Sequence, residues 1–486
     1  MLALITPEVG GHSMPKILRA LLLSGGRIRG RVALIRAVAS AVTIGSGGAA
    51  GRVGPSAQMG AVAGSLLAQL LRLDASRIRL LTVCGVSGGM AGALNAPLAA
   101  AMFSLEALMR GVGIVDSVPV ILSSIAGAEA SSLILGARHI LTVNEVSSWH
   151  PLLMPLSLAL SVAVGFAAVL WIEIFQVLKR VFRKASLPSP IKPALGGLAM
   201  GIVGLYPLYL LGGAWLEPSS LAKAEYLDFT QLIAVGVLTM LANSLTLGSG
   251  GSGGVFGPAL CMGVALGRAL EAALAQLTWA PSSLGALPLL GAAAFLAGSM
   301  QAPIFAALLI PEASGYPGLL PLSAISSAGG FLSAWVFLRG SSIHTLELKS
   351  LGLRMGRPFT LDLLKVRDFM IREVVALPYD APLAALRLLS RERDYTGYPV
   401  VRGGSLVGVV PPGRVISVAE SSKVGELAER YLVYVYSDES AYTALERMEE
   451  AGLSRLPVVE RGDPSRVVGI VEREDLLRAY PAQLRA

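Results

Sequence analysis

Two lines of this chain have the residue types of an anion cradle. Residues 45–64 read GSGGAAGRVGPSAQMGAVAG, and residues 248–267 read GSGGSGGVFGPALCMGVALG. Placed end to end without a gap, they agree at Gly45, Ser46, Gly47, Gly48, Gly51, Gly54, Pro55, Met59, Gly60 and Gly64. A Gly-x-x-Gly-Pro run opens a helix. The first N–H groups of a helix have no partner inside it and carry the positive end of its dipole. Anions bind there without any cationic side chain. Inside a membrane, backbone broken in this way is tolerated only against protein or a wet cavity. Pro55 and Pro258 are therefore expected to mark two helix starts aimed at one central site. Gly60 and Gly64 fit close helix packing instead.

A second echo supports the first. NAPLAAAMFSLEA at 95–107 matches QAPIFAALLIPEA at 301–313, at nearly the same separation as the glycine lines. Two matches at one separation imply two homologous halves, roughly 1–140 and 150–345, of the kind transporters use. Glu106 and Glu312 fall at equivalent positions. Their symmetric placement favours helix-end carboxylates, each bonded to a neighbouring helix N-terminus or facing water, over an ion relay.

The elements that must hold these lines lie in a membrane. The chain is 53% hydrophobic and only 15% charged, with a mean hydropathy of +0.65. Soluble domains carry about 25% charged residues. No Asp, Glu, Lys or Arg occurs from Phe229 to Gly267, from Ala272 to Pro311, or from Ala313 to Leu338. Such apolar runs read as spans. Residues 1–350 are thus expected to be an all-α polytopic membrane domain. From residue 363 onward charge returns at ordinary density, and that part reads as soluble.

The pI is about 9.6. The positive charge reads as loop charge: Arg27, Arg29, Arg31 and Arg36 in one cluster, Lys179, Arg180, Arg183 and Lys184 in another. The positive-inside rule places both on the cytoplasmic side. No aromatic-rich basic face suggests nucleic acid. Cys84 and Cys261 lie in apolar segments and read as small buried hydrophobes. The four histidines make no metal motif, no catalytic constellation is evident, and an enzyme is not expected.

GRVGP at 51–55, LNAPLA at 94–99 and GGVFGP at 253–258 resemble the signature motifs of the CLC chloride channels and chloride/proton antiporters. The resemblance implies the CLC fold of two inverted-topology repeats, a homodimer in the cell membrane, and one anion pathway per subunit. The family's first motif, Gly-Ser-Gly-Ile-Pro, falls on Gly11, His12, Ser13, Met14 and Pro15. His12 then stands where the family has its anion-coordinating serine, with Ser13 one place later. The family's Gly-x-Phe-x-Pro line implies that the backbone N–H groups of Val255 and Phe256 bind the anion. His344 stands in the place of the inner tyrosine. Around the gate the family writes Gly-Arg/Lys-Glu-Gly-Pro, so its gating glutamate is Val53 here, next to Gly54. Its internal proton glutamate is Ala107. Both proton stations are missing, which implies passive transport of chloride or another small anion, or a nonconducting relative. The alternatives are a chloride/proton antiporter, which needs a protonatable substitute, and a divalent-cation transporter, which needs more intramembrane acids than Glu106 and Glu312. Relatives carry a cytoplasmic helix and two spans before the first motif; about ten residues precede it here.

The tail, 363–481, repeats internally. YPVV at 398–401 returns as LPVV at 456–459, GVV at 408–410 as GIV at 469–471, and Val366 and Asp380 as Val424 and Asp438. Each unit, 363–417 and 422–481, reads as short strand, amphipathic helix, two strands and a helix. This α/β pattern resembles a tandem pair of CBS domains, which implies a cytoplasmic regulatory or dimer-bracing role. It also implies an adenine nucleotide (ATP, ADP or AMP) as the ligand to test. The positions that would hold the nucleotide are Glu472 and Asp475, of which only Asp475 fits, and Pro411 and Arg414 in the first unit, neither of which fits.

Overall fold

The fold is taken from a computed structural model. It describes residues 11–109, 114–136, 139–143, 151–277 apart from 189 and 215, and 284–350. In the tail it describes 365–372, 376–392, 398–410 apart from 404, 423–428, 433–451, 453 and 455–476. The chain divides into two compact units, residues 1–354 and 355–486.

In the first unit a two-residue strand, β1 (Gly11–His12), leads into α1 (Met14–Leu23) and α2 (Arg31–Gly45). Then come α3 (Val53–Leu70), α4 (Ala75–Leu94) and α5 (Pro97–Phe103). A π-helical turn, Ser104–Leu108, extends α5. Next are α6 (Ile114–Leu135), α7 (Leu153–Lys184), α8 (Ile191–Leu211), α9 (Pro218–Ala222) and α10 (Phe229–Gly248). The short strand β2 (Ser252–Gly253) precedes α11 (Phe256–Leu274), α12 (Leu287–Met300), α13 (Pro303–Ser314), α14 (Leu320–Leu338) and α15 (Leu346–Ser350). Six helices are long and apolar enough to cross a membrane: α6, α7, α8, α10, α11, and α14 with the turn before it. Leu133, Ile134 and Tyr209 point outward almost fully exposed, as a lipid-facing surface requires.

The two glycine lines do the same two jobs in both halves. Each opens a helix, though two residues before its proline: α3 starts at Val53 and α11 at Phe256, so Pro55 and Pro258 sit within the first turn. Each then packs that helix against the next one. A Cβ at Gly60 would lie 2.0 Å from the Gly85 carbonyl oxygen, and one at Gly64 would lie 2.0 Å from that of Leu81. In the second half, a Cβ at Gly263 would come within 2.6 Å of the Gly291 oxygen, and one at Gly267 within 2.2 Å of the Leu287 oxygen. α4 and α12 end alike, on Asn95 and Gln301 in left-handed conformation, φ 49° and 55°. The NAP and QAP motifs thus turn the chain identically.

The tail carries two three-stranded sheets. β3 (Leu377–Pro378), β4 (Tyr398–Arg402) and β5 (Ser405–Val410) form the first, with α16 (Leu383–Glu392). β6 (Val435–Tyr436), β7 (Arg455–Glu460) and β8 (Asp463–Glu472) form the second, with α17 (Ala441–Ala451). The modules exchange their lead-in turns. Val366 is buried in the second module's core and donates to Glu439 O at 2.9 Å, while Val424 is buried in the first and donates to Ala381 O at 3.0 Å. Neither module closes its core without the other.

A side chain at Gly60 or Gly263 must push two backbones apart, a cost of about 1–3 kcal/mol or more for an overpacked interior. Gly60→Val and Gly263→Val are expected to lower the melting temperature of the detergent-purified protein clearly. Gly201→Val on α8, where nothing lies within 4 Å of the added Cβ, is expected to leave it unchanged.

Candidate functional site

The broken segments meet at one place. β1 and β2 pair in parallel, Gly11 with Ser252 and His12 with Gly253. Beside them Gly51 and Gly254 exchange both backbone hydrogen bonds, 2.8 Å and 2.9 Å. These are the same residue of the two repeats, so the bridge lies on the pseudo-two-fold axis between the halves. The flanking contacts obey that axis. A Cβ at Gly51 would lie 2.9 Å from Gly257 N, and one at Gly254 would lie 2.8 Å from Gly54 N. Only glycine lets these backbones cross. The crossing holds the first turns of α3 and α11 against each other, with the amides of Val53 and Gly54 in one and those of Val255 and Phe256 in or beside the other. All four residues are buried.

Arg36 lies inside this crossing, on α2, with no exposed surface. It does not belong to the loop cluster expected for Arg27, Arg29 and Arg31. Its Nη2 donates to Gly11 O at 2.9 Å, to Gly253 O at 2.9 Å, and to Ser13 Oγ. One guanidinium therefore closes three segments, and it adds a positive charge to a site built from helix N-termini. The apolar context of residues 32–45, VALIRAVASAVTIG, was the available signal that Arg36 is helical and not loop.

The residues placed by motif come together. His12 and His344 are both buried, with ring centroids 4.9 Å apart. Nε2 of His12 and both ring nitrogens of His344 have no hydrogen-bond partner among the described residues. An imidazole N–H is a donor that a small anion can accept. His344 stacks near Phe256 at 5.9 Å and meets Phe103 edge-on at 5.7 Å. Phe305 completes the apolar wall, 5.2 Å from Phe103 and 5.7 Å from Phe256. Ser13 is the N-cap residue of α1 and faces Gly54, whose added Cβ would lie 3.3 Å from its hydroxyl. Its oxygen accepts from Arg36, so His12 and Ser13 occupy different places in the site. Phe103 and Phe305 were not singled out in the sequence; each read as one more apolar residue of a span.

Val53 is the first residue of α3, buried, and its repeat partner is Phe256, the first residue of α11. Ala107 is buried in the π-helical turn. The two acids expected at helix ends are there, crossed over. Glu106 accepts from the amides of Ile304 and Phe305 at 3.0 Å and 2.8 Å. Glu312 accepts from those of Leu98 and Ala99 at 2.9 Å and 2.7 Å. Each carboxylate caps the opposite half's helix, α13 or α5, where the dipole and the free N–H groups favour it.

In the tail, Glu472 forms an ion pair with Arg455 across β7 and β8 at 2.8 Å. Asp475 is partly exposed on the short helix that follows. Pro411 and Arg414 lie outside the described residues. Among the described residues no group of three or more His, Cys, Asp or Glu could hold a metal ion.

The family model described as "Voltage gated chloride channel" matches residues 1–334, and that of the CBS domain matches 366–421 and 424–482. Chloride channel protein CLC-f of Arabidopsis thaliana is 26% identical, over 95% of this chain and 70% of the relative. The voltage-gated ClC-type chloride channel ClcB of Escherichia coli is 30% identical, over 63% of this chain and 74% of its own. Among solved structures, a slow cyanobacterial Cl⁻/H⁺ antiporter aligns at 22% identity with a TM-score of 0.61, over 71% of this chain and 82% of that one. A eukaryotic CLC transporter aligns at 21% with a TM-score of 0.61, over 97% and 86%. These structural likenesses speak for the fold.

Replacing Arg36 removes a donor from the buried oxygens of Gly11, Gly253 and Ser13, and a buried oxygen left without a partner costs about 1–3 kcal/mol. Arg36→Met is expected to lower the melting temperature in detergent by more than either glycine substitution above. Arg36→Lys, with one compact ammonium, is expected to recover only part of the loss.

Proposed function

Because the chain belongs to the voltage-gated chloride channel family, we propose that it lets chloride or a similar small anion cross a cell membrane passively, without proton exchange. The observation that carries this reading is the residue at the start of α3. A carboxylate there would lie at a helix N-terminus, where it competes with the anion and can take a proton. Val53 can do neither. Ala107 removes the second station by the same logic. The two acids of the matching motifs, Glu106 and Glu312, are held by backbone amides of the opposite half. In this reading the amides of Val255 and Phe256 and the imidazoles of His12 and His344 are the anion's donors, and Arg36 supplies fixed positive charge.

The subunits would pair as a homodimer with the CBS tails in the cytoplasm. The exchanged lead-in turns make each tail a stiff unit suited to bracing that dimer. Glu472 is already bound by Arg455, which leaves Asp475 as the one described residue suited to a ribose. Calorimetric titration of the full-length protein with ATP, ADP and AMP is expected to give no binding heat. Heat that disappears in Asp475→Ala would overturn the bracing role.

The channel reading is tested by reconstituting the protein in liposomes under a chloride gradient and recording chloride and proton movement together. Chloride flux without proton movement is expected; stoichiometric proton uptake would sink the proposal and favour an antiporter. Val53→Glu should install the missing gate. Its flux is expected to fall several-fold at neutral pH, where the new carboxylate is charged and held by the dipole of α3. It should recover as the pH falls through the range where that acid protonates.

A further inference from the structure

Two turns meet at the end of α3 remote from the anion site. One joins α1 to α2, residues 24–30; the other joins α3 to α4, residues 71–74. α3 has 18 residues, so this end lies about 27 Å from Val53. Ser65 ties the turns to the helices: its hydroxyl accepts from Ile28 N at 2.9 Å and donates to Gly26 O at 2.7 Å. Thr82 on α4 donates to the same carbonyl at 2.9 Å. Gly26, φ +80°, presses so closely on α4 that a Cβ would lie 2.9 Å from the Arg79 Cα. Arg72 takes a left-handed conformation, φ 52°, which is uncommon for a residue with a side chain.

Between the turns lies a cavity of about 350 Å³ lined by Arg27, Gln69, Arg72, Leu73 and Ile78. That volume is within the usual range for a small-molecule site, roughly 300–1,000 Å³, and far larger than a halide needs. Residues 24–31 and 71–79 hold six arginines, at 27, 29, 31, 72, 77 and 79, against one acid, Asp74. Asp74 is bound by Ser76 and lies 3.4 Å from Arg77. Beside the cavity, Leu70 and Leu71 expose 80% and 60% of their surface. An open basic pocket at the end of α3, next in the chain to the exposed Leu70 and Leu71, matches a phosphate group. Guanidinium grips phosphate through two parallel hydrogen bonds, and a basic residue near an anionic membrane surface contributes about 1 kcal/mol.

We propose that this pocket binds a phosphate group through Arg27 and Arg72. The group can come from an anionic phospholipid headgroup or from a soluble phosphate compound, and one set of variants separates the two sources. The full-length protein in detergent is exchanged into mixed phosphatidylglycerol and phosphatidylcholine, and retained lipid is counted by native mass spectrometry. In parallel the delipidated protein is titrated calorimetrically with pyrophosphate. Arg27→Gln/Arg72→Gln removes charge from exposed positions, and an unchanged melting temperature confirms its fold. Arg180→Gln/Arg183→Gln, at the end of α7, controls for diffuse charge. Several-fold enrichment of phosphatidylglycerol, lost in the first variant and kept in the control, supports the pocket with a lipid source. Pyrophosphate heat with the same pattern and no lipid preference supports it with a soluble source. Neither signal in the unmodified protein, or an equal loss in both variants, overturns the proposal.

Discussion

The Arg36 side chain is the interaction on which the membrane unit's centre depends. Three segments leave regular secondary structure there, and in a membrane their backbone groups have no water to fall back on. The parallel pair of β1 and β2 and the reciprocal bridge of Gly51 and Gly254 satisfy some of those groups. Arg36 takes two of the remaining carbonyls and the Ser13 hydroxyl. These oxygens turn toward the guanidinium, on the same crossing that sets the first turns of α3 and α11 against each other. A buried positive charge is costly in isolation. Here it is held by the dipole oxygens of Gly11, Gly253 and Ser13, so one residue ties the segments together and sets the charge of the centre.

A second constraint locks the two halves. Glu106 and Glu312 each reach across to cap the other half's helix. The contacts follow the same pseudo-two-fold axis that passes through Gly51 and Gly254. An acid placed this way is structural in effect: ionised, it matches a helix N-terminus, and moving it would free the two N–H groups it caps in the other half. Both carboxylates are thereby committed to the scaffold. Arg36 has no counterpart on the axis, since its repeat position is Thr239, which bonds its own helix at Val235 O. The scaffold is symmetric while the charge at its centre is one-sided.

Much of this was legible in the sequence because glycine and proline are demanded by backbone geometry, which a repeat copies faithfully. Gly60 and Gly64 read as packing positions, Gly51 and Gly54 as a broken segment, and Glu106 and Glu312 as helix-end caps; the structure bears out each. Long-range polar contacts left no such mark. Arg36 follows Arg27, Arg29 and Arg31, so its charge was counted with theirs, although it lies several residues into an apolar run. His12 and His344 are far apart in the chain, and only motif alignment placed them in one site. Phe103 and Phe305 had no signal of their own, since an apolar span residue looks the same whether it faces lipid or lines a pathway. In the tail, the repeat of Val366 and Val424 was visible, but not that each fills the other module's core.

The charge inventory of the centre constrains what can cross it. Its described surroundings offer first-turn amides, imidazoles, a hydroxyl, a guanidinium and four aromatic or aliphatic walls, and no carboxylate that is not already capping a helix. Such a set is rich in hydrogen-bond donors and in positive charge. An exchanger needs a group that alternates between competing with the anion and releasing a proton. At the start of α3 the competing group would have to be titratable, and Val53 is an apolar residue matched by Phe256 across the axis. The symmetry sets the two helix ends side by side, and the first side chain of each is apolar, Val53 on α3 and Phe256 on α11.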